Sequence, residues 1–161
     1  MENLKLTRID FRLIHGQVMT RWVVKYNITD IVVVDDKSAK SPLLKKILLG
    51  AAPSGVKVVV TTVEEAANMW KNKEMPTGNL LILFKNTSQA LAAWEQGVKY
   101  PSLQVGGIEG SGNKRNVYKN VVMSTEEKDE LNILHDGGVR IYLQPIPEDN
   151  EFSFKDVLSK F

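Results

Sequence analysis

Two uninterrupted apolar runs limit what this chain folds into: Ile31-Val32-Val33-Val34 and Leu80-Leu81-Ile82-Leu83-Phe84. A strand that is apolar at every position is buried on both faces, the pattern of an inner strand in a parallel sheet. Helical segments lie between such strands. An opening strand from Leu4 to Ile9 leads to a helix from about Gln17 to Tyr26. After the second strand, Ser41-Pro42 reads as an N-cap with proline at the first helical position. Leu43, Leu44, Ile47 and Leu48 then form an apolar stripe, which Pro53-Ser54-Gly55 breaks. Val56 to Thr61 is a third strand, and Thr62 caps a helix from Val63 to Lys71. After the fourth strand, a helix from Ser88 to Gln96 closes at Gly97. A short fifth strand spans Ser102 to Val105. Gly106 to Gly112, with four glycines, is expected to be the most flexible stretch. Val117 to Met123 reads as a sixth strand near an edge. A helix from Ser124 to Gly137-Gly138, a seventh strand from Val139 to Leu143 and a short helix within Phe152 to Phe161 complete the chain.

Strands alternating with helices give an α/β fold: a mostly parallel, twisted β-sheet of about six to seven strands with helices on both faces. Ligands in such sheets bind beyond the carboxyl ends of the strands. His15, Asp35-Asp36, Thr61-Thr62, Lys85-Asn86 and Gly106-Gly107 all fall there, so topology predicts that they share one rim.

Composition removes several function classes. The chain has 161 residues, enough for one domain with a real core. With no cysteine and only His15 and His135, disulfides, thiolate metal sites and multi-histidine metal sites are excluded. A formal net charge of +2, without interleaved basic and aromatic residues, gives no case for nucleic acid. The opening Met-Glu-Asn-Leu-Lys-Leu lacks a signal peptide's apolar run, and no stretch is apolar enough to span a membrane. A cytoplasmic protein without metal or cofactor is expected.

The chemistry concentrates in Arg8-Ile9-Asp10-Phe11-Arg12-Leu13-Ile14-His15-Gly16-Gln17-Val18, between the first strand and the first helix. Gly16 permits a tight turn. His15 then stands at a helix N-terminus, where unpaired N–H groups favour negative charge. Arg8 and Arg12 can add bidentate hydrogen bonds to a phosphoryl group, and Asp10 can hold either guanidinium in place. Imidazole near neutral pH offers an unprotonated nitrogen as nucleophile. The constellation suits a histidine that accepts a phosphoryl group.

Arg-Ile-Asp-x-Arg-Leu-Ile-His-Gly-Gln-Val near the start of a chain of this length resembles the phosphorylation-site motif of IIB components of mannose/fructose/sorbose-type phosphotransferase-system (PTS) sugar transporters, with a lean toward the N-acetylgalactosamine branch. The resemblance extends more weakly over nearly the whole chain and implies one IIB domain over residues 1–161. It implies that His15 takes a phosphoryl group from a phosphohistidine of the IIA component and passes it to sugar bound by the membrane components IIC and IID. Peripheral association with that transporter follows. The resemblance also implies Nδ1 as the reacting nitrogen. Phe11 departs from the acidic residue common at its place, which makes the loop more positive.

Around this centre, Gly16, Gln17, Lys85, Asp36, Gly106 and Gly107 are candidates for phosphate binding or the site rim. Arg12 is the expected clamp, while Arg8 and Asp10 orient the loop. Phe11 is the candidate docking residue for partner proteins, against the alternative that it fills a gap under the loop. A homo-oligomer is compatible with this role. Asp35-Asp36 as a magnesium site is weighed against a helix cap, and Gly106 to Gly112 as a phosphate cradle against a plain loop. His135, at a helix C-terminus, is read as structural, and Trp22 as core. Two other function classes stay open at this point. One is a receiver-like regulator phosphorylated on aspartate, although Thr61-Thr62 stands where its acceptor would be. The other is a small-molecule binding module built on the glycine-rich stretch.

Overall fold

The computed structural model describes residues 1–161, apart from the side chain of Gln17. Sixteen elements follow in order: β1 (Leu4–Asp10), α1 (Gly16–Tyr26), β2 (Asp30–Val34), α2 (Asp36–Lys40), α3 (Pro42–Gly50), β3 (Lys57–Thr61), α4 (Val63–Lys71), β4 (Leu80–Phe84), α5 (Thr87–Glu95), β5 (Ser102–Gly107), β6 (Arg115–Tyr118), β7 (Val121–Met123), α6 (Thr125–Asp136), β8 (Arg140–Leu143), β9 (Phe152–Ser153) and α7 (Phe154–Leu158). Seven strands form one sheet in the order β3-β2-β4-β1-β5-β8-β9. All neighbours in it are parallel except β8 and β9. No helix among the described residues is long and apolar enough to cross a membrane.

Alternation along the inner strands builds two cores. Ile31 and Val33 face a cluster with Met19 and Trp22 of α1 and Leu48 of α3. Val32 and Val34 face the other side, with Ala66 of α4, Leu91 of α5, Leu131 of α6 and Phe154 of α7. β4 lies between β2 and β1, and all five of its residues are buried. Helix starts are fixed locally. Ser41 Oγ accepts from Leu44 N–H ahead of Pro42, and Thr62 and Ser124 each form a capping box with a glutamate three residues on.

The chain leaves β1 through α1 toward β2 and leaves the adjacent β4 through α5 toward β5. These exits run in opposite directions, and this opens a crevice between the carboxyl ends of β1 and β4.

Two expectations are corrected, for Gly106-Gly107 and for the sixth strand, and two short elements, α2 and β9, are added. A short helix, α2, follows β2, because the Asp35 carboxylate accepts from Ser38 N–H at 3.1 Å and caps it. Gly106 and Gly107 are the last residues of β5 and not part of a flexible loop. The segment read as a sixth strand is a separate antiparallel hairpin, β6–β7, which turns at Lys119 with φ of +50°. The final segment adds the antiparallel edge strand β9 before its helix.

Ile82 is fully buried in β4, whereas Ile47 on α3 is 56% exposed. Ile82→Ala is expected to lower unfolding free energy by about 2–5 kcal/mol, and Ile47→Ala by no more than about 0.5 kcal/mol. Urea titration of both variants checks this contrast.

Candidate active site

β1 delivers the motif to the sheet's carboxyl rim and then turns sharply. Leu13 N–H donates to Asp10 O at 2.9 Å, and Phe11 N–H donates to Gly107 O at 3.2 Å. Leu13 takes φ of +58°, a left-handed conformation that costs a non-glycine residue energy. Burial offsets that cost, because Leu13 and Ile14 both insert into the core beneath α1. With these two side chains turned inward, His15 is left at the surface as the N-cap of α1.

His15 has a side chain 22% exposed. Its Nδ1 lies 2.9 Å from Leu13 O. A carbonyl only accepts, so this contact puts a proton on Nδ1. Nε2 sits 3.9 Å from Asp10 Oδ2 and has no hydrogen-bond partner among the described residues. Gly16 follows with φ of +44° in open space, so conformation and not crowding demands a glycine there.

Asp10 is fully buried and holds both arginines. Its Oδ1 accepts from Arg12 Nε at 3.1 Å and from Arg12 N–H at 3.2 Å, while Oδ2 accepts from Arg8 Nη2 at 3.1 Å. Arg12 keeps 43% of its side chain exposed and lies over the Phe11 ring. It is therefore available to an incoming anion.

Of the two readings of Arg8, contact with a phosphoryl group or orientation of the loop, its placement is incompatible with the first. Arg8 is 0% exposed, because residues 6, 8 and 10 of β1 face α1 and Trp22 covers them. Besides Asp10, it donates to Gln104 Oε1, to Gln144 O at 2.9 Å and to Pro145 O at 2.9 Å. Burial lowers the pKa of this guanidinium from its ordinary value, and the adjacent Asp10 opposes the shift. A Cβ at Gly106 would stand 2.0 Å from Arg8 Cζ, so glycine is needed for the guanidinium to lie flat against β5. Arg8 is thus a positioning residue that fixes Asp10 from below.

The remaining candidates divide. Lys85 is half-buried at the end of β4 and lines a cleft of about 190 Å³ with Phe11, Thr87, Ile108 and Lys114. Phe11 itself is half-buried and packs at its ring edge near Gly107. Asp36 is occupied elsewhere: Oδ1 accepts from Val63 N–H at 2.8 Å, and its own N–H donates to Gln89 Oε1. Gly107 supports the turn through its carbonyl, as described above. The side chain of Gln17 lies outside the described residues. Among the described residues no cluster of His, Asp and Glu could hold a metal ion. His135 packs near the Phe154 ring in the last turn of α6, far along the chain from this loop.

Gln104 and Gln144 were not singled out from sequence, yet both are buried beside Arg8. Gln144 Nε2 donates to Asp149 O at 3.0 Å, so the layer also ties down the loop after β8. A lone glutamine inside the apolar strand Leu103-Gln104-Val105 was the readable signal.

With this geometry in view, the family model for the PTS sorbose subfamily IIB component matches residues 4–161. The chain belongs to the mannose/fructose/sorbose family of PTS IIB components. The fructose-specific EIIB component of Bacillus subtilis is 32% identical over 98% of this chain and 97% of its own length. The mannose-specific EIIAB component of Escherichia coli is 34% identical, with 96% of this chain matching 48% of that longer protein. The crystal structure of the IIB domain of the sorbose permease from Klebsiella pneumoniae superposes with a TM-score of 0.90 at 28% identity, covering 98% of each chain. The IIB family is one of phosphotransferase-system components, and in this IIB chain the end of β1 and the loop into α1 bring Arg8, Asp10, Arg12 and His15 together.

Gly106→Ala is expected to push Arg8 off β5 and to lower stability by about 1–3 kcal/mol, the usual cost of overpacking a core. A denaturant titration measures it. Unchanged stability would mean that the guanidinium relocates freely.

Proposed function

We propose that this IIB chain is a phosphohistidine carrier: His15 accepts a phosphoryl group from phospho-IIA and passes it to sugar held by the IIC and IID components. The observation that carries this reading is His15 itself, partly exposed at the N-terminus of α1 beside the half-free Arg12. In the first step a ring nitrogen of His15 attacks phosphorus while the donor's N–P bond breaks and returns its electron pair to the donor imidazole. One N–P bond replaces another, so neither metal nor cofactor is required. In the second step a sugar hydroxyl attacks, its proton is released, and the imidazole leaves with the electron pair.

Each side chain has a part. Arg12 turns from Asp10 toward the phosphoryl oxygens and spreads their charge over a planar fork. The first-turn amides of α1 add partial positive charge. Asp10 and Arg8 keep the loop in register. Transfer through Nδ1 requires the contact with Leu13 O to open first. The chain carries out this role as one IIB domain on the cytoplasmic side, docked peripherally on the transporter. N-acetylgalactosamine is one of several sugars named among the relatives, with fructose, mannose and sorbose. A receiver-like reading finds less support, because Asp35 and Asp36 are both engaged in capping backbone N–H groups.

Incubation with phospho-IIA, followed by mass spectrometry, tests the proposal. The label is expected on His15, acid-labile and base-stable, absent from His15→Ala and retained in His135→Ala. A label that persists in His15→Ala would overturn the site assignment. Arg12→Ala is expected to slow transfer by about 100-fold, the scale of one lost electrostatic donor, and Arg12→Lys by less, with the domain still folded in a thermal melt. Stopped-flow transfer rates decide this. The outer edge of Phe11 is assigned to the IIA contact, so Phe11→Ala should weaken IIA binding by about 1–2 kcal/mol. Calorimetric titration alongside a thermal melt separates docking from packing: normal affinity with lost stability would make Phe11 a packing residue only.

A further inference from the structure

We propose that α2, α3 and the turn into β3 form a docking face for an anionic lipid bilayer. The segment from Lys37 to Lys57 contains five lysines and no acidic residue. Since the chain's net charge is only +2, the remainder is net negative, and the positive charge is gathered here. Lys37, Lys40, Lys45, Lys46 and Lys57 are all exposed. None forms an ion pair among the described residues. The flanking acids are turned to other uses or other faces: Asp35 and Asp36 cap helices, and Glu65 closes the capping box of α4 on the opposite side of the sheet.

The same helix exposes bulky aliphatic side chains. Leu48 of α3 is buried against the sheet, but Leu43 is 67% exposed, Ile47 56% and Leu49 44%. Leu43 and Ile47 stand one turn apart and form a stripe beside the core-facing one. An exposed aliphatic stripe flanked by lysines matches the interfacial helix pattern, in which apolar side chains enter the acyl boundary while lysines reach the headgroups. β3 is the outermost strand on this side, so no neighbouring strand screens the face. α2 begins at the carboxyl end of β2, on the same rim as His15.

Other occupants fit less well. Protein interfaces favour aromatic residues and arginine and are depleted in lysine. This segment has neither arginine nor an aromatic residue. A second copy would bring five lysines against five. An anionic bilayer complements both the charge and the aliphatic chains. The inference rests on the carrier reading, since a carrier that serves a membrane transporter gains from being held at the bilayer surface.

The test is co-sedimentation of the whole chain with phosphatidylcholine vesicles, with and without phosphatidylglycerol. Binding is expected only with phosphatidylglycerol, and high salt should weaken it because the attraction is screened. Lys45→Glu with Lys46→Glu should weaken binding by about tenfold or more, and Leu43→Ser with Ile47→Ser should also reduce it. Equal binding to neutral vesicles, no binding to either, or binding only when transporter components are present would overturn the lipid assignment. Self-association abolished by Lys45→Glu would overturn it too. Labelling of His15 by phospho-IIA in solution, measured on the same charge-reversed variant, should be unchanged. Loss of vesicle binding with intact labelling in the native chain removes this inference alone, whereas absent labelling of His15 removes the carrier reading.

Discussion

One buried carboxylate organises the functional end of this protein. Asp10 lies at the end of a central strand and accepts hydrogen bonds from two guanidinium groups, Arg8 beneath it and Arg12 above it. Ion pairs out of water are costly unless the remaining donors are satisfied. Here Nη1 and Nη2 of Arg8 donate to Asp10, Gln104 Oε1 and the carbonyls of Gln144 and Pro145, whereas Nε has no hydrogen-bond partner among the described residues, and the Trp22 ring lies against the guanidinium. Removing one partner of such a pair leaves a charge stranded in the core, at a cost of about 3–5 kcal/mol. The pair is therefore a constraint on shape. β5 must carry glycine at 106, the loop after β8 must bring its carbonyls inward, and α1 must lay Trp22 across β1.

That constraint reaches His15 in two short steps. Asp10 fixes the backbone of Arg12 through its N–H, and Leu13 and Ile14 pin the next two residues into the core. The His15 ring rests between Leu13 O and the Asp10 carboxylate. The same carboxylate thus sets where His15, the proposed nucleophile, stands and lends Arg12 a resting place. Arg12, bound to Asp10 on one side and solvated on the other, can exchange that partner for a phosphoryl group with little reorganisation. Buried rigidity below and a half-exposed clamp above suit the proposed carrier role, in which one group receives and releases the same cargo.

Much of this was legible in the sequence. Uninterrupted apolar strands and punctual caps at Ser41, Thr62 and Ser124 declared the α/β order, and the spacing of Arg8, Asp10, Arg12 and His15 marked the loop. Which arginine is buried was not legible, because it depends on what covers that face of β1, and only the tertiary position of Trp22 decides that. Gly106 read as a flexible loop residue for a similar reason: its glycine answers to the Arg8 guanidinium across the sheet, not to a local turn. The α2 helix is too short to show a period, and the β6–β7 turn uses Lys119 in a left-handed conformation where glycine or asparagine would have announced it.

A double-mutant cycle between Arg8→Met and Asp10→Asn, read as unfolding free energy, tests the central claim most directly. The two side chains meet inside the protein with no exposure. The account predicts that each single change is severely destabilising and that the double variant recovers part of the loss, with a coupling of about 2–3 kcal/mol. Losses that simply add, each below about 1 kcal/mol in scale, would show that the carboxylate does not hold the site together.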